Sequence, residues 1–178
     1  KHFQTSSLKG FGVETLTDGI IAAGAALHYL YETQNYKIQH INKIKRIEEE
    51  LYVWLDRFTI RNLELVQSYN ENAVTLLQIL DKTQTPMGSR MLRKWLVMPL
   101  KEQVMIEERL SVVKHFVEDR EGATSLLQTL HQVGDLERIL SKLATGKINP
   151  REILQLCRSL RAVEQLKNSC AKSQHTAL

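Results

Sequence analysis

Arg90, Arg93 and Lys94 stand three and one residues apart within a stretch, 82–101, that holds five bases and no acid. On a helix the spacings of three and four put them on one charged face. A positive face without acids is the chemistry that meets phosphates. The same face also suits pairing with acids elsewhere in the chain, and residues 102–137 supply eight acids against only Arg109, Lys114 and Arg120. Both readings stay open, with the balance toward pairing. The sign reverses again over 138–172, where eight bases face Glu152 and Glu164. Segregated blocks of this kind mark faces that meet a polyanion, meet each other, or simply face solvent.

Other chemistry is thin. Gly10-Phe11-Gly12 is followed by no third glycine opening a helix, so it is not a dinucleotide fingerprint. The chain has no GxxxxGK[ST] phosphate loop and no GxSxG elbow. The paired acids Glu48–Glu50 and Glu107-Glu108 read as turn or helix-surface residues rather than a general acid and base, which need burial or a neighbouring charge. Histidines 2, 28, 40, 115, 131 and 175 never pair with Cys or Glu at ligand spacing, so no metal site is expected. Cys157 and Cys170 lie 13 residues apart on a helical stretch, roughly 20 Å if one helix is continuous, too far for a disulfide. They read as reduced intracellular thiols. No catalytic, cofactor-binding or metal-binding residue is assigned.

The 178 residues are 43% hydrophobic and 25% charged with a net charge of +4, the balance of a globular protein. No apolar run is long enough to cross a bilayer, and a cytoplasmic location is expected. The chain opens on Lys1 without a methionine or a secretory signal, which reads as a piece of a longer protein.

The elements that must position the basic face are mostly helical. Leu16, Ile20, Ala23, Leu27 and Leu30 form a stripe that predicts a helix from a cap at Thr17 or Asp18 to about Gln34. Residues 42–55, with Leu51-Tyr52-Val53-Trp54-Leu55 at their end, predict a β-hairpin that turns at Glu48-Glu49-Glu50. Asp56 is placed to cap a helix reaching about Gln67, and Tyr69-Asn70-Glu71-Asn72 reads as a loop. A short helical turn follows over 75–81. Thr85-Pro86 then opens the basic helix, with a hydroxyl at the cap and proline at the first helical position, and Pro99 closes it. Within it Met91, Leu92, Trp95, Leu96 and Met98 can face a core, while the small Gly88 and Ser89 allow another backbone to come close. Residues 102–119 predict a helix broken by Gly122, and 123–131 another. Gly134-Asp135 opens a third, carrying Leu136, Ile139, Leu140 and Leu143, which Gly146 closes. Asn149-Pro150-Arg151-Glu152 is a capping box for a last helix, and residues 173–178 are expected to fray. The fold class read here is mainly α: an orthogonal, bundle-like helical domain with one small hairpin toward its N-terminal side.

The basic helix and its surroundings resemble the core domain of the MutS family, the DNA mismatch repair ATPases. The resemblance rests on Leu8-Lys9-Gly10-Phe11-Gly12-Val13-Glu14, Ala22-Ala23-Gly24-Ala25, Leu55-Asp56, Arg61-Asn62-Leu63-Glu64-Leu65, the 81–99 run, and Val133-Gly134-Asp135-Leu136-Glu137-Arg138-Ile139, in the family's order across nearly the whole chain. Of these, Thr85-Pro86-Met87-Gly88-Ser89-Arg90 is specific by itself.

The resemblance implies that residues 1–36 end a connector domain and that 37–178 begin the core, or lever, domain. It implies a longer protein that binds mispaired duplex DNA, pairs with a second MutS subunit, uses ATP and magnesium, and hands on to downstream mismatch repair proteins. The family's mismatch-probing motif and phosphate loop belong to domains outside this chain, so no enzymatic residue or cofactor is expected here. The role implied is structural and allosteric, coupling DNA clamping to ATP hydrolysis, with Pro86, Gly88, Ser89 and Trp95 as packing residues of the coupling helix. Arg90, Arg93 and Lys94 are its candidates for phosphate contact or interdomain ion pairs. Two alternatives stand beside it: a self-standing helical nucleic-acid-binding module, and the same core from a recombination-type paralogue.

Overall fold

The computed structural model describes residues 2–3, 5, 7–33, 38–47, 49–70 and 73–173. Eight α-helices occur among them: α1 (Thr17–Thr33), α2 (Arg57–Asn62), α3 (Leu76–Leu80), α4 (Pro86–Val97), α5 (Gln103–Glu118), α6 (Arg120–Leu130), α7 (Leu136–Ala144) and α8 (Pro150–Lys172). The contacts fall into two units, one of Lys1–Glu48 with Leu140–Ile148 and one of Glu49–Ile139 with Asn149–Leu178. The expected boundary at 36/37, the helix end at Gln34, the turn residue Glu48, the loop residues Glu71 and Asn72, and the tail 174–178 lie outside the described residues.

In the first unit, every member of the α1 stripe, Leu16 through Leu30, is half-buried, while the remaining residues of α1 are exposed. A 3.6-residue period therefore marks the covered face. Ile20, Ala23 and Leu27 line a cavity with Phe3, Leu8 and Ile44. Leu16, rather than Thr17 or Asp18, precedes the first helical residue, and Asp18 lies in the first turn, where its charge suits the helix dipole.

Among the described residues the predicted hairpin is not formed. Tyr52 instead makes an isolated antiparallel bridge with Leu100, with the Val53 N–H donating to the Pro99 carbonyl (2.8 Å) and the Lys101 N–H to the Leu51 carbonyl (3.0 Å). Residues 41–47 have no regular structure and Glu49–Leu51 form a 3-10 turn. The expected turn carried none of the Asn-Gly or Asp-Gly chemistry that closes a hairpin. The extended residues found a distant partner just past α4, where Pro99 needs only to accept. Leu100, at that bridge, is buried.

Helix α2 also stops earlier than Gln67. Asp56 caps it as expected, accepting from the N–H groups of Phe58 (2.7 Å) and Thr59 (2.8 Å). Beyond Asn62 the chain turns through Glu64 in the left-handed region (φ 50°), and the Leu65 N–H reaches back to the Ile60 carbonyl, a Schellman-type end. The turn aims two carbonyls onward: Glu64 and Leu65 accept from Leu76 and Leu77, the otherwise unpaired first-turn donors of α3. Thr75 and Gln78 complete that start as a reciprocal capping box.

The break between α5 and α6 lies at Asp119, not at Gly122. Asp119 leaves the helical region and accepts from the Gly122 N–H (2.8 Å), so Gly122 belongs to the first turn of α6. Gly146 closes α7 at φ 68°, and the Lys147 N–H bonds to the Lys142 carbonyl. Asn149 and Glu152 form the expected capping box at the start of α8.

The second unit is knit by α8 against α6 and α6 against α5. Leu65, Leu100, Val133, Ile139 and Ala162 are buried. Ser159 on α8 is 0% exposed, and its hydroxyl accepts from the Gly134 N–H at 2.9 Å. A side chain at residue 134 would put its Cβ 2.5 Å from Gln155 Nε2 and 3.1 Å from Cδ, so glycine lets this loop approach α8. Removing the hydroxyl would strand a covered N–H, which costs about 1–3 kcal/mol. Ser159→Ala is therefore expected to lower the unfolding free energy by about that amount, read as a lower urea midpoint at unchanged m-value; an unchanged midpoint would show the bond to be dispensable.

Candidate functional site

Helix α4 is fixed from its first residue onward. Thr85 takes an extended conformation and its hydroxyl accepts from the Gly88 N–H at 3.0 Å, with Pro86 at the first helical position. The preceding loop folds over this turn because Asp81 gathers it. One carboxylate oxygen accepts from the Thr83 N–H (3.1 Å) and hydroxyl (2.6 Å), and the other from the Ser89 hydroxyl. A Cβ on Gly88 would stand 3.1 Å from Thr85 Oγ1 and 3.3 Å from Thr83 Cβ. Gly88 is thus the floor on which Thr83 rests. Ser89's hydroxyl, and after it the Thr83 hydroxyl and N–H, hold the Asp81 carboxyl below the usual carboxylate range.

One residue on, Arg90 spans two acids that are 45 and 47 residues away in sequence. Its Nη1 and Nη2 donate to Asp135 Oδ2 (3.0 Å) and Oδ1 (2.7 Å), while Nε and Nη2 donate to Glu137 Oε2 (3.0 and 2.6 Å). All three guanidinium nitrogens are engaged, in the planar fork geometry that only arginine offers. Asp135 also receives the Arg138 N–H at 3.3 Å, so one carboxylate both holds Arg90 and caps α7. Hydrogen bonding by Arg90 is the main cause that lowers the Asp135 pKa; burial opposes it next, and the Arg138 N–H and the charges of Arg90 and Arg138 add smaller lowering effects. The same pairing raises the guanidinium pKa above its already high value.

Trp95 makes the third anchor. The Arg109 guanidinium of α5 lies 3.8 Å above its ring centroid, a cation–π contact. Arg93 and Lys94 are exposed, and among the described residues neither forms an ion pair. The structure therefore separates the three bases: Arg90 is committed to the chain's own acids, and the other two face solvent.

Several members of this site gave no local signal. Asp135 showed itself as a helix start, and Glu137 only as part of the family-like run. Arg109 stood out only as one of three bases in the acidic block 102–137. Their partners are 14 to 47 residues away, beyond any helical period.

The sign of the pH dependence follows from the depressed carboxyls. Asp135 and Asp81 contribute stability above their unfolded value of about 3.9, and lose it as pH falls through their lower folded values. Unfolding free energy from urea titrations is expected to be level above about pH 5 and to fall below about pH 4. Asp135→Asn should flatten part of that fall; a folded variant with the parent's slope would remove Asp135 from the cause.

Residues 58–178 match the family described as MutS domain III. The DNA mismatch repair protein MutS of Flavobacterium psychrophilum is 55% identical over 99% of this chain, that of Christiangramia forsetii 53% over 99%, and that of Phocaeicola vulgatus 49% over 100%. The chain spans about 20% of the length of these relatives. With the match covering more than half of the sequence and including α4, α7 and α8, this chain belongs to the MutS domain III family.

Proposed function

We propose that this chain is a core segment of a MutS-type DNA mismatch repair ATPase, which couples clamping of mispaired duplex DNA to nucleotide turnover. In this reading residues 1–36 end the connector domain and 37–178 open the lever. The observation that carries it is the Arg90 fork on Asp135 and Glu137. With the Asp81–Ser89 bond and the Trp95–Arg109 contact, it ties α4 to the loop before it, to α5 and to the start of α7. A helix pinned at three points transmits displacement as a body rather than absorbing it by bending.

ATP and magnesium belong elsewhere in the longer protein on this reading. The chain contains no phosphate loop, and among the described residues no three His, Cys, Asp or Glu side chains gather as a metal site. A second subunit and downstream repair proteins are partners of the whole protein in the same sense. No helix among the described residues is long and apolar enough to cross a membrane. Relatives named as mismatch repair proteins at 47–56% identity favour repair over a recombination-type paralogue.

The test uses the full-length protein. Arg90→Ala and Gly88→Leu are expected to leave mismatch binding in place while lowering DNA-stimulated ATP turnover and slowing ATP-induced release. The effect should be on the order of 5- to 100-fold, the range of ordinary coupling energies. Arg90→Lys should recover only part, because an ammonium cannot fork onto two carboxylates. Normal turnover and release in folded variants would exclude α4 from the coupling.

A second reading, a self-standing nucleic-acid-binding helical module, draws on the exposed Arg93 and Lys94. Appreciable duplex binding by the 178-residue chain alone, steep in salt and weakened by Arg93→Ala, would favour it. Negligible binding favours the lever.

A further inference from the structure

We infer that the cleft beside the first two turns of α8 is a backbone-phosphate site for duplex DNA, separate from the basic face of α4. The cleft is lined by Gln132, Arg151, Leu154, Gln155 and Arg158, and encloses about 680 Å³. Arg151, Leu154, Gln155 and Arg158 follow one another at spacings of three, one and three, so they form a single face of α8. Gln132 closes the cleft from the loop after α6.

Its charge is unbalanced. Both arginines are exposed, and among the described residues neither enters an ion pair. No acid lines the cleft. Glu152, the nearest acid in sequence, is turned to the Asn149 N–H in the capping box. The N-terminal end of α8 adds the partial positive charge of its helix dipole. Arginine guanidiniums beside neutral glutamine amides are the donor set that proteins bring to phosphate and sugar oxygens. This contrasts with Arg90, whose donors are already spent on carboxylates.

An array of anions fits better than a single carboxylate. Seven residues along a helix separate Arg151 from Arg158 by about 10 Å along its axis. A DNA strand offers one phosphate for about every 3.4 Å of duplex axis, so one strand can meet both guanidiniums together, whereas one acidic side chain satisfies one. Leu154 between them contributes no charge or acceptor that would compete with phosphate. The inference rests on the proposed function, since it takes the full-length protein to be a duplex binder.

The experiment is a salt series of mismatched-duplex binding by the full-length protein and its Arg151→Gln/Arg158→Gln variant. Each lost phosphate contact lowers the slope of log affinity against log salt by about 0.9, so the double variant should lose about 1.8 and each single variant about 0.9. Arg158→Lys should keep the slope, because an ammonium still neutralises a phosphate. Lys114→Gln removes a charge from α5, where Lys114 faces Glu118, and should leave the slope unchanged. If the double variant does not fold, the two single variants decide by the same criterion. A parent-like slope in folded variants overturns the inference and leaves the lever reading intact. A parent-like slope with lowered thermal stability overturns it in favour of a carboxylate from another part of the protein. Failure of the unmodified protein to bind mismatched duplex removes the proposed function and this inference with it.

Discussion

The contact on which the second unit depends is the guanidinium of Arg90 between Asp135 and Glu137. Ion pairs as exposed as Arg90–Glu137, with side chains 48% and 68% accessible, contribute little to stability, commonly under about 1 kcal/mol. What this one supplies is geometry. A planar fork with four hydrogen bonds admits a narrow set of orientations, and both acids lie more than 40 residues from Arg90 in sequence. Because Asp135 also caps α7, the same carboxylate links α4 to the start of α7. The interaction specifies a register more than it stabilises a fold.

Polar bonds at helix ends do similar work throughout this unit. Asp56, Thr75, Thr85, Asp119, Asp135 and Asn149 each satisfy a first-turn N–H, and Ser159 meets Gly134 inside the packing. Such caps are worth about 1 kcal/mol apiece, comparable with what a half-buried aliphatic side chain contributes. Large apolar residues such as Trp54, Phe58 and Ile79 stay exposed, so burial alone does not dictate where each helix starts. The hydrogen bonds at the caps do.

That division explains what the amino-acid order disclosed. Caps and closing glycines act within four or five residues, and Asp56, Thr85-Pro86, Gly146 and Asn149–Glu152 were legible for that reason. The α1 stripe was legible because one period decides which side is covered. The errors arose where a local preference had two outlets. Tyr52 forms a β-bridge, as the composition of its stretch favours, yet the pairing of Leu51–Val53 is with Pro99–Lys101 rather than with neighbouring residues. Nothing short-range distinguishes these partners. Glu64 takes a left-handed conformation that non-glycine residues seldom adopt, so the end of α2 carried no glycine to announce it. Asp119 displaced Gly122 as the breaker because a capping carboxylate ends one helix and starts the next in a single residue. The charged site was half visible: segregated blocks indicated that bases and acids would meet, but the choice of Arg90 with Asp135 and Glu137 is a product of the three-dimensional fold.

The same geometry ranks the two basic faces of the chain. At about 100° per residue, Arg93, Arg90 and Lys94 occupy an arc of α4 with Arg90 at its middle. The two acids that Arg90 holds therefore sit in the centre of that face and leave three positive charges against two negative ones. A polyanion approaching α4 meets a field already largely cancelled, and binding there would set DNA phosphates against Asp135 and Glu137. Around Arg151 and Arg158 there is no such cancellation, since the cleft contains two positive charges and no acid. Counterion release scales with the charges free to meet phosphate, so the more conspicuous basic run in the sequence is the weaker electrostatic site. Pairing Arg90 with Asp135 and Glu137 cancels most of the charge on that face of α4, while the charge of Arg151 and Arg158 stays uncancelled within their cleft.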